Sequence, residues 1–99
     1  MVKLALLVRL EAKPGKEKEL ETFVSSALPL AQNEPGTIHW FALRIGPSTY
    51  GIFDTFEKEE GRNTHLGGPI AAALGAKAGE LLAQPPSIEL IDLLAVKAK

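Results

Sequence analysis

His65 is the side chain in this sequence best suited to acid–base work. An imidazole titrates near neutrality and can take a proton from a phenol or an enol at pH 7. It closes the run Gly51-Ile52-Phe53-Asp54-Thr55-Phe56-Glu57-Lys58-Glu59-Glu60-Gly61-Arg62-Asn63-Thr64-His65, which reads as a strand, a charged turn and a helix. That order places one strand carboxylate, Asp54, where it can orient the imidazole or act as a base itself. Trp40 offers a ring face for an aromatic ligand and an indole N–H to donate. Arg44, which shares strand parity with Trp40, and Asn63 offer charge or a donor to a developing oxyanion. Tyr50 lies on the same strand face as Asp54. Each has a structural alternative: helix packing beside a glycine break for His65, a surface or interface carboxylate for Asp54, core for Trp40 and an exposed ion pair for Arg44. Arg62, three residues after Glu59, reads as half of a solvated helix pair.

Other chemistries lack their residues. There is no cysteine, hence no disulfide, thiolate metal site or thiol nucleophile. His39 and His65 are far apart, and no His-x-x-x-His spacing occurs, so a dedicated metal site is not expected. No glycine-rich nucleotide loop or serine-nucleophile motif is present, and no cofactor is expected. The formal net charge is -1, with acids and bases interspersed; this gives no footprint for nucleic acid or an anionic membrane. The start, Met1 to Val8, is apolar, but Arg9 and Glu11 follow and no cleavage site is evident, so it reads as a strand and not as a signal peptide. No stretch reaches the roughly 20 apolar residues of a membrane span. These features suit a small cytoplasmic protein.

The elements that must position His65 follow from periodicity. Residues 1–99 form one domain. From Leu4 to Ala12 every even position is apolar, a strand with one buried face. After Lys13-Pro14-Gly15, with Pro14 expected in a first helical turn, Leu20, Phe23, Val24, Ala27, Leu28 and Ala31 mark an amphipathic helix. Pro29 lies inside it and predicts a kink near Ser25–Pro29 or an irregular last turn; Glu34-Pro35-Gly36 ends it. Thr37–Ile45 and Thr49–Phe56 read as an antiparallel hairpin across Gly46-Pro47-Ser48. A short helix from about Lys58 to Leu66 follows, and Gly67-Gly68-Pro69 starts another, with Ile70, Leu74, Ala78, Leu81 and Leu82 on one face. Gly75 and Gly79 weaken this helix and are expected to let it approach a neighbour. Ile88–Val96 is the last strand.

The order β-α-β-β-α-α-β is a split βαβ, ferredoxin-like pattern: an α+β fold in which a four-stranded antiparallel sheet carries helices on one face. Apolar residues nevertheless occupy both faces of several strands. The last strand has Ile88, Leu90, Leu94 and Val96 on one side and Ile91, Leu93 and Ala95 on the other. An antiparallel sheet with one wet face alternates more cleanly, so a homodimer packed sheet to sheet is expected.

A long first helix closed by Glu34-Pro35-Gly36, the hairpin, the segment Ile52-Phe53-Asp54-Thr55-Phe56-Glu57 and His65 on the next helix together resemble the antibiotic biosynthesis monooxygenase (ABM) family over nearly the whole chain. The resemblance implies a dimeric α+β barrel with a pocket between sheet and helices. It places His65 at the family's frequent helix histidine and Asp54 at a strand position where relatives often carry an acid. Where some relatives have a second histidine, this chain has Gly67, Gly68, Pro69 and Ile70. Haem-degrading members resemble one another in a strand asparagine, a helix tryptophan and a later histidine. Here the first strand has no asparagine, His65 stands where the tryptophan would be, and Gly75 lies near the ligand position, so haem degradation is not implied.

The reading that follows is a cofactor-independent monooxygenase acting on a small quinol or phenolic substrate with dioxygen. His65 and Asp54 form its catalytic pair, and Trp40, Arg44, Tyr50 and Asn63 contact the ligand. Two alternatives stay open. One is a non-catalytic dimeric small-molecule binding or stress-associated module; the other is an isomerase or decarboxylase acting on a small enolisable acid.

Overall fold

The computed structural model describes residues 1–98. Eight elements follow in chain order: β1 (Leu4–Glu11), α1 (Glu17–Ser26), α2 (Leu28–Gln32), β2 (Thr37–Arg44), β3 (Thr49–Phe56), α3 (Glu59–Leu66), α4 (Pro69–Leu81) and β4 (Ser87–Asp92). The strands form one antiparallel sheet in the order β2-β3-β1-β4. This is the ferredoxin-like α+β architecture, with helices on one face of the sheet. Across β1 and β3 the register aligns Leu6 with Asp54, Val8 with Ile52 and Leu10 with Tyr50. These rows share the helix side. Leu20 and Val24 of α1 and Ile70, Leu74 and Leu81 of α4 close over Val8, Leu10, Tyr50 and Ile52 as the buried core. Each such side chain contributes about 1.5–3 kcal/mol on leaving water.

The long first helix is broken, as Pro29 requires. It divides at Ala27, and Pro29 falls in the first turn of α2, where its missing N–H leaves no bond unmade. Pro14 is not in a helix. It forms a turn with Gly15, whose φ of 86° suits glycine, and α1 starts only at Glu17. β4 ends at Asp92, short of the expected Val96. Asp92 pairs with Leu4, the first residue of β1, and just beyond it the Leu93 N–H reaches back, donating to the Lys3 carbonyl. The ladder stops where its partner strand starts.

A Cβ on Gly75 or Gly79 would meet open space, so neither glycine is needed for a close backbone approach. Close backbone approach occurs between Gly36 and Gly61 instead. A Cβ on Gly36 would lie 2.9 Å from the Gly61 Cα, and one on Gly61 would lie 2.8 Å from the Gly36 carbonyl oxygen. The α2–β2 turn therefore presses directly on α3, which places Glu34 beside His65.

Candidate active site

Strand alternation sends Asp54 to the helix side of β3, and helical spacing sends His65 from α3 back down onto it. Asp54 has 0% exposure and His65 is buried. The His65 Nε2 lies 2.7 Å from Asp54 Oδ2, an ion-pair contact whose geometry departs from that of an aligned hydrogen bond. Its other nitrogen, Nδ1, meets Glu34 Oε1 at 2.6 Å in a hydrogen bond. Thr37 Oγ1 donates to the same Glu34 oxygen at 2.8 Å, and the Phe56 ring packs against the imidazole with centroids 5.7 Å apart. The result is a buried carboxylate–imidazole–carboxylate array.

Burial and mutual contact shift the titration of Asp54 and His65. Burial raises the Asp54 pKa above the usual carboxylate value, more than its contact with His65 lowers it. Burial alone would lower the His65 pKa, but Asp54 and then Glu34 outweigh it and hold the imidazole above its ordinary value. His65 is stabilised as a cation with both nitrogens engaged, so it presents no lone pair to a ligand in this arrangement.

Glu34 was not among the candidates the sequence suggested. It sits in a turn, where neither strand nor helix periodicity says which way a side chain points. The Glu-Pro-Gly sequence was the available signal: Pro35 restricts the backbone of the residue before it, and Gly36 permits the contact with Gly61. A cleft of about 450 Å³ opens beside the array, with Glu34, Thr37, Lys58, Thr64, His65 and Gly68 among its lining residues. That volume lies within the range of small-ligand sites. Gly68, at the start of α4, keeps the space next to Glu34 open; a Cβ there would lie 3.2 Å from Glu34 Oε2.

The remaining candidates are dispersed. Trp40 pairs with Asp54 across the β2–β3 ladder and packs on the core. It lines a smaller cleft of about 270 Å³ together with Leu28, Glu34 and Thr37, and its buried Nε1–H has no protein partner among the described residues. Arg44 and Tyr50 pair with each other at the far end of the same strands. Tyr50 is four residues from Asp54, about 13 Å at strand spacing. The Tyr50 hydroxyl donates to Glu21 at 3.4 Å, and Arg44 Nε lies 3.8 Å from the same carboxylate. Burial and then Glu21 raise the Tyr50 pKa. The structure does not bring this pair to His65. Asn63 is exposed on α3 and does not line the cleft beside His65, whereas its neighbour Thr64 does.

Arg62 corrects the sequence reading outright. It is only 8% exposed and forms no ion pair with Glu59; its guanidinium donates to the Ile91 carbonyl at 3.4 Å. The helical stripe that carries His65 inward carries the residue three positions before it inward as well. Among the described residues, no group of three or more His, Asp or Glu side chains is arranged to hold a metal ion. Among the same described residues, no helix is long and apolar enough to cross a membrane.

The fold and the array define an α+β, ferredoxin-like protein with a carboxylate–imidazole–carboxylate array on the helix face of its sheet. The chain belongs to the same family as NE2512, a protein of unknown function from Nitrosomonas europaea. Its crystal structure is 61% identical in sequence, covers 100% of this chain and 96% of its own, and superposes with a TM-score of 0.97. A "putative antibiotic biosynthesis monooxygenase" from the same organism shares the fold at 13% identity, covering 93% of this chain and 90% of its own, with a TM-score of 0.81. One of the same name from Caulobacter crescentus does so at 22% identity, covering 95% and 92%, with a TM-score of 0.75. At those identities the likeness is one of fold. No protein-family profile matches the chain, and no curated protein does.

Proposed function

We propose that the protein is a cofactor-independent monooxygenase that oxidises a small quinol or phenol with dioxygen and works as a homodimer. The observation that carries this reading is the Asp54–His65–Glu34 array beside a cleft of single-ring size. The ABM-like fold, shared with neighbours that bear that name, supports it. In the proposed reaction the array removes a hydroxyl proton, with His65 held between its carboxylates so that the proton can be shared along them. The electron-rich anion then reduces dioxygen. One oxygen atom enters the ring, the other leaves as water, and the substrate supplies the electrons: hydroquinone and dioxygen give hydroxyquinone and water.

One observation favours a binding module without turnover, namely that both His65 nitrogens are already engaged. Oxygen consumption separates the two. The monooxygenase reading expects uptake with at least one member of a hydroquinone panel. In His65→Gln or Asp54→Asn protein shown to be folded by circular dichroism, the rate is expected to fall by about a hundredfold or more, the usual scale of acid–base catalysis. Absence of uptake across the panel, or full activity in His65→Gln, would overturn it.

A further inference from the structure

We propose that Glu34 is the residue through which the array meets its ligand, and that the cleft selects an uncharged phenolic ring over an acidic one. The proposal rests on the acid–base reading of the array given above. Three members could face a ligand, and two are blocked. Asp54 is fully enclosed between sheet and α3. His65 has both nitrogens committed to carboxylates. Glu34 alone combines access with an unused atom: its side chain is 13% exposed, and it lines both the larger cleft and the smaller one beside Trp40.

Glu34 divides its work between two oxygens. Oε1 accepts both the His65 and Thr37 hydrogen bonds, whereas Oε2 has no protein partner among the described residues. Oε2 is itself covered from solvent. The terminal torsion of a glutamate is broad, so a modest turn of the carboxylate brings that oxygen to a ligand. Gly68 contributes no side chain to obstruct it. A phenolic O–H then donates to Glu34, its proton passes to the carboxylate, and the phenolate remains. One O–H bond breaks and one forms, with no change in electron count. His65 and Asp54 act through Glu34 as positioning residues.

The same geometry sets the charge of the ligand. Glu34, Glu57 and Glu60 line the larger cleft with a single lysine, Lys58. The positive charge of His65 is already neutralised by its two carboxylates. A ligand carboxylate would enter beside Glu34 with three glutamates set against one lysine, Lys58, and the surplus of like charge disfavours its binding.

The test compares hydroquinone with 2,5-dihydroxybenzoate, the same ring bearing one added carboxylate. Both are titrated anaerobically into ¹⁵N-labelled protein, so that binding is observed without turnover. Hydroquinone is expected to shift the amide signals of Glu34, Thr64 and Gly68, and the acid to bind wild-type protein at least about tenfold more weakly, or 1.4 kcal/mol. Glu34→Gln keeps a hydrogen-bond acceptor but loses the charge and the proton sink. In that variant the preference for hydroquinone should collapse, while oxygen uptake falls by about a hundredfold with KM little changed. Three results would each overturn the proposal: equal binding of the two rings by wild-type protein, an unchanged preference in Glu34→Gln, or shifts confined to the distant Tyr50–Arg44 pair. The wild-type comparison needs no variant to fold. If the binding pattern holds and no oxygen is consumed, Glu34 stands as the ligand contact and the monooxygenase reading alone fails.

Discussion

His65 between Asp54 and Glu34 makes stability depend on pH in a definite sense. Its folded pKa stands above the unfolded value of about 6.5, so the folded state binds that proton more tightly. The stabilisation is fully present below about pH 6.5 and is lost as pH rises through the folded value. Asp54, raised by burial above the unfolded carboxyl value near 4, acts in the same direction: its protonated form is favoured on folding, and that advantage fades as pH rises. Urea unfolding should therefore show stability falling as pH climbs above about 6.5, and His65→Gln should remove that part of the slope. Truncating the cation outright, in His65→Ala, leaves the buried Asp54 and the partly buried Glu34 carboxylates without the cation between them and is expected to cost about 3 kcal/mol, measured by urea midpoint at pH 6. Asp54 and His65 were legible in the sequence because each lies on a regular element whose period fixes its direction. Glu34 and Arg62 were not. Glu34 lies in a turn, and Arg62 had a plausible surface partner three residues away in Glu59. Only the tertiary path of α3 decides that Arg62 turns inward to the Ile91 carbonyl.

At the level of elements, the array depends on how closely the α2–β2 turn approaches α3, and two glycines set that distance. Gly61→Ala should improve the intrinsic helix propensity of α3 by about 1 kcal/mol. The new Cβ, however, would be built 2.8 Å from the Gly36 carbonyl, a backbone atom that cannot swing aside. Steric conflict of this kind costs about 1–3 kcal/mol, so the net effect expected is destabilisation, with Glu34 drawn away from His65 and the pH slope reduced. Gly75→Ala is the matched control. It lies in the interior of α4, is exposed, and its Cβ would meet nothing within 4 Å. The same substitution there should stabilise by about 0.5–1 kcal/mol, and urea midpoints of the two variants should move in opposite directions. The succession of strands, a distortion of the first helix before Pro29 and the inward stripe of α4 could be read from periodicity and proline placement. The glycine contact could not, because Gly36 and Gly61 are far apart in sequence and meet only once the turn has folded back. Gly75 and Gly79, the glycines that looked suited to packing, face solvent.

The whole molecule leaves one face of its sheet without helices. On that face His39, Phe41 and Phe53 stack in sequence, with centroids 6.4 and 6.3 Å apart, and Leu7 lies next to Phe53 across the ladder. Phe41 is 49% exposed at its centre. Charge on that face includes an Arg9–Glu89 pair toward the β4 side and Glu11 at the end of β1. Aromatic and aliphatic side chains arranged in this way on a flat sheet suit a second sheet packed about 10 Å away. A copy of the same face is a natural occupant, because like rows of aromatics complement one another across a two-fold axis. The homodimer proposed above would cover this face and leave the cleft beside Glu34 and His65 on the opposite side of each sheet. Phe41→Asp separates assembly from folding, since the side chain is half exposed in the single chain and its loss opens no enclosed cavity. Light scattering at micromolar concentration should give twice the chain mass of 10.6 kDa for the wild type and a single chain for Phe41→Asp, with similar circular dichroism for both. A wild-type mass of one chain would sink the dimer. If the variant also kept its hydroquinone binding while monomeric, the site would be complete within one subunit, and the open face would serve assembly rather than chemistry.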